Sequence, residues 1–213
     1  MTNKMLSKLS LLALSIALSG CAVGQSYRYH DTTLQVNASG SKSIAVAAVD
    51  RRPYVVSAEK EPNYVGNLRG GFGNPFNVTT ESGKPLAEDM SLVLCGSLKK
   101  KGFSCTPVTV APNEADAQVK SKLQGANADR LMLLVIREWM SSTYTNTGLD
   151  YDVQLTEMDR QGAVLAEKHL KGEDDLGGSF LNPPAHAKEA VPAAYKKKLE
   201  LLVNDAAVAK ELQ

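Results

Sequence analysis

Three cysteines carry the most reactive side chains of this chain: Cys21, Cys95 and Cys105. A thiol can serve as nucleophile, redox centre, metal ligand, disulfide partner or point of attachment, and its neighbours and compartment decide among these. His30, His169 and His186 fall singly in separate segments, without cysteine or carboxylate partners at ligand spacing. They read as surface histidines, and no metal or cofactor is expected. Serine chemistry also lacks partners. Ser39-Gly40-Ser41-Lys42 and Ser97-Leu98-Lys99-Lys100 match a bare Ser-x-x-Lys, yet no Ser-Asp-Asn or Lys-Thr-Gly accompanies them. Gly83-Lys84-Pro85 lacks the earlier glycine and the following hydroxyl of a phosphate-binding loop. No catalytic residue is assigned. An envelope hydrolase or thiol oxidoreductase would need a nucleophile beside a base, and the sequence offers none.

The context of Cys21 is more informative. Lys4 and Lys8 precede an apolar run from Leu9 to Leu18, and small residues lead to Gly20-Cys21. That is the order of a secretory signal peptide. The run is too short to cross about 30 Å of hydrocarbon, so it does not read as a permanent span. Leu18-Ser19-Gly20-Cys21 resembles the lipobox of bacterial lipoproteins. The resemblance, confined to the first 21 residues, implies a diacylglyceryl group on the Cys21 thiol, cleavage before it and acylation, as with palmitate, of the new amino terminus. Ala22 stands where Asp would mark inner-membrane retention. The resemblance therefore implies the outer membrane, with the protein facing the periplasm and the lipid anchor holding it there.

Export leaves Cys95 and Cys105 in an oxidising compartment, where a disulfide is permitted. Two free buried thiols remain an alternative. A redox-active pair is the third reading, disfavoured because the spacing is not Cys-x-x-Cys. Without Lys4 and Lys8 the 24 basic residues become 22, against 23 acidic ones. So balanced a charge gives no footprint for nucleic acid.

The elements that must position these residues can be read from pattern. Residues 1–20 are the expected signal peptide, 21–42 a lipidated cysteine and polar tether, and 43–213 one globular domain. A flexible tether of that length would reach on the order of 25 Å, or about 65 Å stretched. Its polar run holds at most a short strand near Thr33 to Val36. "SIAVAAVD" (43–50) predicts a buried strand, and residues 58–85 an irregular, Gly-, Asn- and Pro-rich stretch. Leu86, Met90, Val93, Leu94 and Leu98 recur at helical spacing, ending in Lys99-Lys100-Lys101-Gly102. "FSCTPVTV" returns as a strand, and "EADAQVKSKLQG" predicts a short helix capped by Asn113. "DRLMLLVIREWM" predicts a central strand, and Asp159-Arg160-Gln161-Gly162 the turn of a late antiparallel hairpin. A helix through Val191, Tyr195, Leu199 and Leu202 closes the chain. The fold class expected is α+β, a mixed sheet with about three helices packed on it. A lipobox, a polar segment, an early strand, a helix ending in Lys-Gly and a late hairpin closed by a helix resemble small periplasmic lipoproteins of the YajG type. That resemblance implies fold and no activity.

Two segments stand apart. "NLRGGFGNPFN" (67–77) joins turn-forming glycines to Arg69, Asn74 and Asn77 and to the aromatic rings of Phe72 and Phe76. "GGSFLNPP" (177–184) repeats the flavour with Phe180 and Asn182. Either the glycines make tight turns while the phenylalanines tuck into the core, or both loops meet at one end of the sheet as a composite binding surface. Asp50-Arg51-Arg52 reads as an intramolecular salt bridge and Lys196-Lys197-Lys198 as the wet face of a helix. The function expected is that of a non-enzymatic, membrane-anchored accessory or assembly partner of a cell-envelope complex. The alternative is capture of a small ligand or glycan in a pocket lined by Phe72, Phe76 and Trp139.

Overall fold

A computed structural model describes residues 25–212. Cys21, Ala22 and the expected signal peptide lie outside the described residues. The described chain is one α+β domain in the order β1 (Ser26–Tyr27), β2 (Ser43–Asp50), α1 (Pro53–Val56), β3 (Tyr64–Arg69), β4 (Pro75–Thr80), α2 (Leu86–Lys99), β5 (Ser104–Pro107), α3 (Asp116–Gly125), β6 (Arg130–Thr143), β7 (Asn146–Asp159), β8 (Val164–Gly178), α4 (Pro183–Val203) and α5 (Ala206–Leu212).

All eight strands join one mixed sheet, and β6 is its spine. One edge of β6 pairs along its whole length with β7, which pairs in turn with β8, both antiparallel. The other edge is shared. Its first half pairs in parallel with β2, which carries β5 beyond it. Its last residues, Ser141 to Thr143, pair in parallel with β3, which carries β4 and then β1. Sharing requires the backbone of β3 to approach β6 closely at Gly66, where a Cβ would strike the Ser141 side chain. Glycine suits the site for that reason and for its φ of 155°.

Sequence pattern explains where the core lies. β2 is apolar on both faces because both are covered. Ile44, Val46 and Ala48 face α2 and the large core, while Ala45, Ala47 and Val49 face Val119 and Leu123 of α3. Helix α2 buries Leu86, Met90, Val93, Leu94 and Leu98 at the expected spacing. The outermost strand, β8, carries Glu167, Lys168, His169, Lys171, Glu173, Asp174 and Asp175, charges that discourage pairing along the open edge.

Several expectations are corrected. Among the described residues there are five helices, not about three, and the late hairpin is a three-stranded meander, since β6 runs on through Thr143 to turn into β7. The stretch over residues 58–85 contains the β3–β4 hairpin. The tether expected over 21–42 is, from residue 25 onward, part of the domain. Tyr27, Tyr29, Leu34, Val36 and Ala38 are all buried, on alternate positions within two short runs. The backbone between them is held by Ser97, Glu200 and Asn204: Leu34 N–H donates to Ser97 Oγ, Gln35 N–H to Glu200 Oε1 and Asn37 N–H to Asn204 Oδ1. Polar composition concealed a strand-like period of two, because the intervening side chains face solvent.

Candidate functional site

Three turns meet at one end of the sheet. Asn67 and Leu68 near the end of β3 lie beside Ser142 and Thr143 at the end of β6, and Asn146 at the start of β7 lies beside Gly178 at the end of β8. The β3–β4 turn (70–74), the β6–β7 turn (144–145) and the β8–α4 connection (179–182) therefore project from the same end. Leu68, Arg69, Gly70, Gly71, Tyr144, Thr145, Pro183 and Pro184 line one cleft of about 310 Å³ there.

The local chemistry of each turn is explicit. In the β3–β4 turn, Gly73 has φ 79° and donates to the Gly70 carbonyl, while Gly70 donates to Asn74 O. The β8–α4 connection is tied to the β6–β7 turn by Ser179 N–H donating to Thr145 O. Gly178 allows that approach, because a Cβ would collide with Thr145 O. Asn182 then caps α4, its Oδ1 accepting from Ala185 N–H, and Pro183 and Pro184 occupy the first turn, where no donor is needed. The turns are ordered by their own hydrogen bonds, without the apolar side chains they carry.

Those side chains point outward. Phe72 is 98% exposed, Phe180 90%, Leu181 93% and Tyr144 51%. Arg69, Asn74 and Asn182 are exposed, and Phe76 is half-buried against Gly70. The structure thus brings Arg69, Phe72, Asn74, Phe76, Phe180 and Asn182 to one end, and the expectation that the phenylalanines tuck into the core does not hold for Phe72 or Phe180. Asn182 is occupied as a helix cap. Tyr144 and Leu181 belong to the same surface and were missed: a single aromatic in a two-residue turn carries no periodic signal.

The pocket imagined between Phe72, Phe76 and Trp139 does not form. Trp139 is fully buried, its Nε1–H donating to Tyr29 Oη at 3.2 Å, and Tyr195 stacks on Tyr29 at a centroid distance of 4.3 Å. Beneath this cluster Arg52 is completely buried. It pairs with both carboxylate oxygens of Asp50 and donates to the carbonyls of Pro62, Tyr64 and Trp139. The Asp50 and Arg52 charges are paired with each other inside the protein, so the pair is structural. A second cleft, of about 140 Å³ between β2, α2 and the chain after β5, is lined largely by apolar and proline residues such as Ala48, Pro85, Leu92 and Val110.

Cys95, Cys105, His169 and His186 all have partners. Cys95 and Cys105 are buried and joined as a disulfide, with Cα atoms 5.3 Å apart. His169 meets Asp152 at 2.8 Å, His186 meets the Leu176 carbonyl, and among the described residues no group of three His, Cys, Asp or Glu could hold a metal. Lys198 departs from the expected wet helix face. It is buried, salt-bridged to Asp174 at 2.7 Å and set 3.7 Å above the Tyr151 ring. At the opposite end of the sheet Glu157 is buried with neither carboxylate oxygen hydrogen-bonded. Burial pushes its pKa up to about 7, against partial relief from Arg130.

No family model and no curated protein matches this sequence. Among solved structures, the chain is similar to a DUF330 protein from Xanthomonas campestris. The TM-score is 0.54 at 12% identity, covering 88% of this chain and 97% of that one. The dodecamer PelC from Paraburkholderia phytofirmans gives a TM-score of 0.39 at 13% identity, covering 79% and 95%. Lipoprotein GNA1162 from Neisseria meningitidis gives 0.31 at 14% identity, covering 74% and 97%. In fold, and in fold alone, this chain is similar to the DUF330 protein.

Proposed function

We propose that this chain is a non-enzymatic lipoprotein of the bacterial envelope, anchored through lipid on Cys21 to the periplasmic face of the outer membrane, where its domain serves as accessory or assembly partner of an envelope complex. The observation that carries the reading is the position of Gln25. Its side chain donates to Pro184 O at the head of α4, and its carbonyl accepts from Thr79 N–H. Packing of the domain therefore begins four residues after Cys21, and covalent geometry holds the anchor within about 14 Å of the domain. Such a protein is held against its membrane. Confinement of that kind raises the effective concentration of a surface partner, so a weak contact suffices.

The buried disulfide leaves Cys95 and Cys105 without a free thiolate, which supports the non-enzymatic part against a thiol oxidoreductase. The test is metabolic palmitate labelling of wild type and Cys21→Ser in intact cells, followed by crosslinking and identification of captured proteins. Label lost in Cys21→Ser, with a reproducible envelope partner recovered, is the expected result. Label retained in the variant would refute the anchor.

A further inference from the structure

We propose that the tip formed by Phe72, Tyr144, Phe180 and Leu181 is a membrane-contact surface, and that its apolar side chains enter the headgroup and upper acyl region of the bilayer that holds the Cys21 lipid. The inference rests on the anchored reading above.

Its first support is composition. Phe180 and Leu181 are adjacent and 90% and 93% exposed, Phe72 is 98% exposed, and Tyr144 presents an amphipathic ring at 51%. Fully exposed large apolar side chains, gathered from three turns that lie far apart in sequence, mark an interaction site. Across residues 69–74, 144–145 and 179–184 the single charged side chain is Arg69, with no carboxylate. Exposed Phe and Leu with one flanking cation match the interface of a bilayer, where aromatic rings sit at headgroup depth and Arg meets phosphate.

The second support is position. Strand β4 leaves the tip at Pro75, and β1 runs parallel to it, Ser26 beside Thr79. Gln25, the residue before Ser26, thus lies on its tip side and is bonded to Pro184, which lines the tip cleft. With Cys21 within about 14 Å of Gln25, the lipid must enter the bilayer beside these turns. The β7–β8 turn lies at the far end of β8, roughly 45 Å away along the strand.

The third support is a built-in limit of depth. Glu173, Asp174 and Asp175 lie on β8 just behind the tip, and Asp175 accepts from Asn146 and from Gly177 N–H. Asp175 is three residues before Gly178, roughly 10 Å along the strand, so insertion of about 5–10 Å buries the apolar tip and leaves the carboxylates in water. The turn hydrogen bonds named above keep much of the backbone satisfied at that depth.

The test uses the full lipidated protein, purified from membranes and reconstituted into phosphatidylethanolamine and phosphatidylglycerol vesicles, with or without brominated acyl chains. Buried Trp139 contributes a constant background, so Phe72→Trp, Phe180→Trp and Val164→Trp each add one reporter. Val164 is 61% exposed and lies at the far end. Brominated chains should extinguish the added emission of Phe72→Trp and Phe180→Trp and leave that of Val164→Trp unchanged. Unquenched emission from both tip reporters, in protein that sediments with vesicles and carries acyl mass on Cys21, overturns the tip contact and leaves the anchor standing. Equal quenching of all three overturns it as well, since the domain would then lie flat. Absence of acyl mass on Cys21 overturns the anchor and the tip contact together.

Discussion

The molecule holds two groups of large aromatic side chains, and they are treated in opposite ways. Tyr27, Tyr29, Trp139 and Tyr195 are fully buried, linked ring to ring, with Trp139 donating to Tyr29 and Ser141 to Tyr27. Phe72, Tyr144 and Phe180 stand in solvent on turns whose geometry is set by glycine, proline and backbone hydrogen bonds. The polar handles of Tyr27, Tyr29 and Trp139 find partners inside, while Tyr195 Oη is buried without one and that ring is held by stacking on Tyr29. Two of the three tip rings carry no polar handle. Aromatic residues that hold a fold together are bonded to it, whereas those at the tip contribute almost nothing to folding and are explained by something outside the domain.

The contrast can be broken at its strongest point first. Trp139→Ala removes a buried indole that meets the stacked Tyr29 and Tyr195 rings edge-on and should destabilise the protein by about 3–5 kcal/mol, read from urea unfolding. A change below about 1 kcal/mol would mean the interior cluster is not a packed core. Arg52→Ala leaves the Asp50 carboxylate buried and strips the Pro62, Tyr64 and Trp139 carbonyls of a donor, a loss of about 3 kcal/mol or more by the same measurement.

Glu157 probes the interior from the other side, as a buried group whose charge is poorly met. Its folded pKa of about 7 lies above the ordinary 4.5. Between those values the folded chain holds a proton that the unfolded chain has released, so stability falls as pH rises from about 4.5 to 7. Arg130, Lys42 and Glu211 are the charged groups that act on it, the first two favouring ionisation and the last opposing it. Glu157→Gln should flatten that part of the profile and stabilise the protein near pH 8 by about 1–3 kcal/mol. A profile unchanged by the substitution would show that Glu157 is already well solvated. The smallest effect is expected at the tip. Phe72→Ala with Phe180→Ala should move unfolding free energy by less than about 0.5 kcal/mol, because neither ring is buried. A larger loss would make these residues structural and erase the contrast.

Much of this was legible in the chain itself. The β2 strand announced itself as an unbroken apolar run, and α2 as a 3.6-residue repeat, because burial on two faces or on one stripe writes directly into residue order. The segment from Gln25 to Lys42 was misread for a specific reason: its buried side chains are few and alternate with Asp, Thr, Gln and Asn, so average polarity hid the pattern. The β3–β4 hairpin was hidden likewise by its glycines and asparagines, the Asp50–Arg52 pair gave no sign that it is buried, and Lys198 looked like a surface charge until Asp174 was found beside it. Glu157 gave no sign, since nothing in "LTEMD" distinguishes a carboxylate facing a sealed interior from one facing water.

Residue order alone determined the signal-like amino terminus, the lipobox resemblance at Cys21 and the glycine-rich character of two turns, all of which depend on residue type and local spacing. Tertiary structure alone decided that Arg69, Phe72, Tyr144, Phe180 and Leu181 share one end of the sheet and that the chain enters the domain beside them. Those facts depend on register and strand direction. Pairing of β3 with the end of β6, Gly66 beside Ser141, and of β8 with the start of β7, Gly178 beside Asn146, is set by packing between segments far apart along the chain, and no local pattern encodes it.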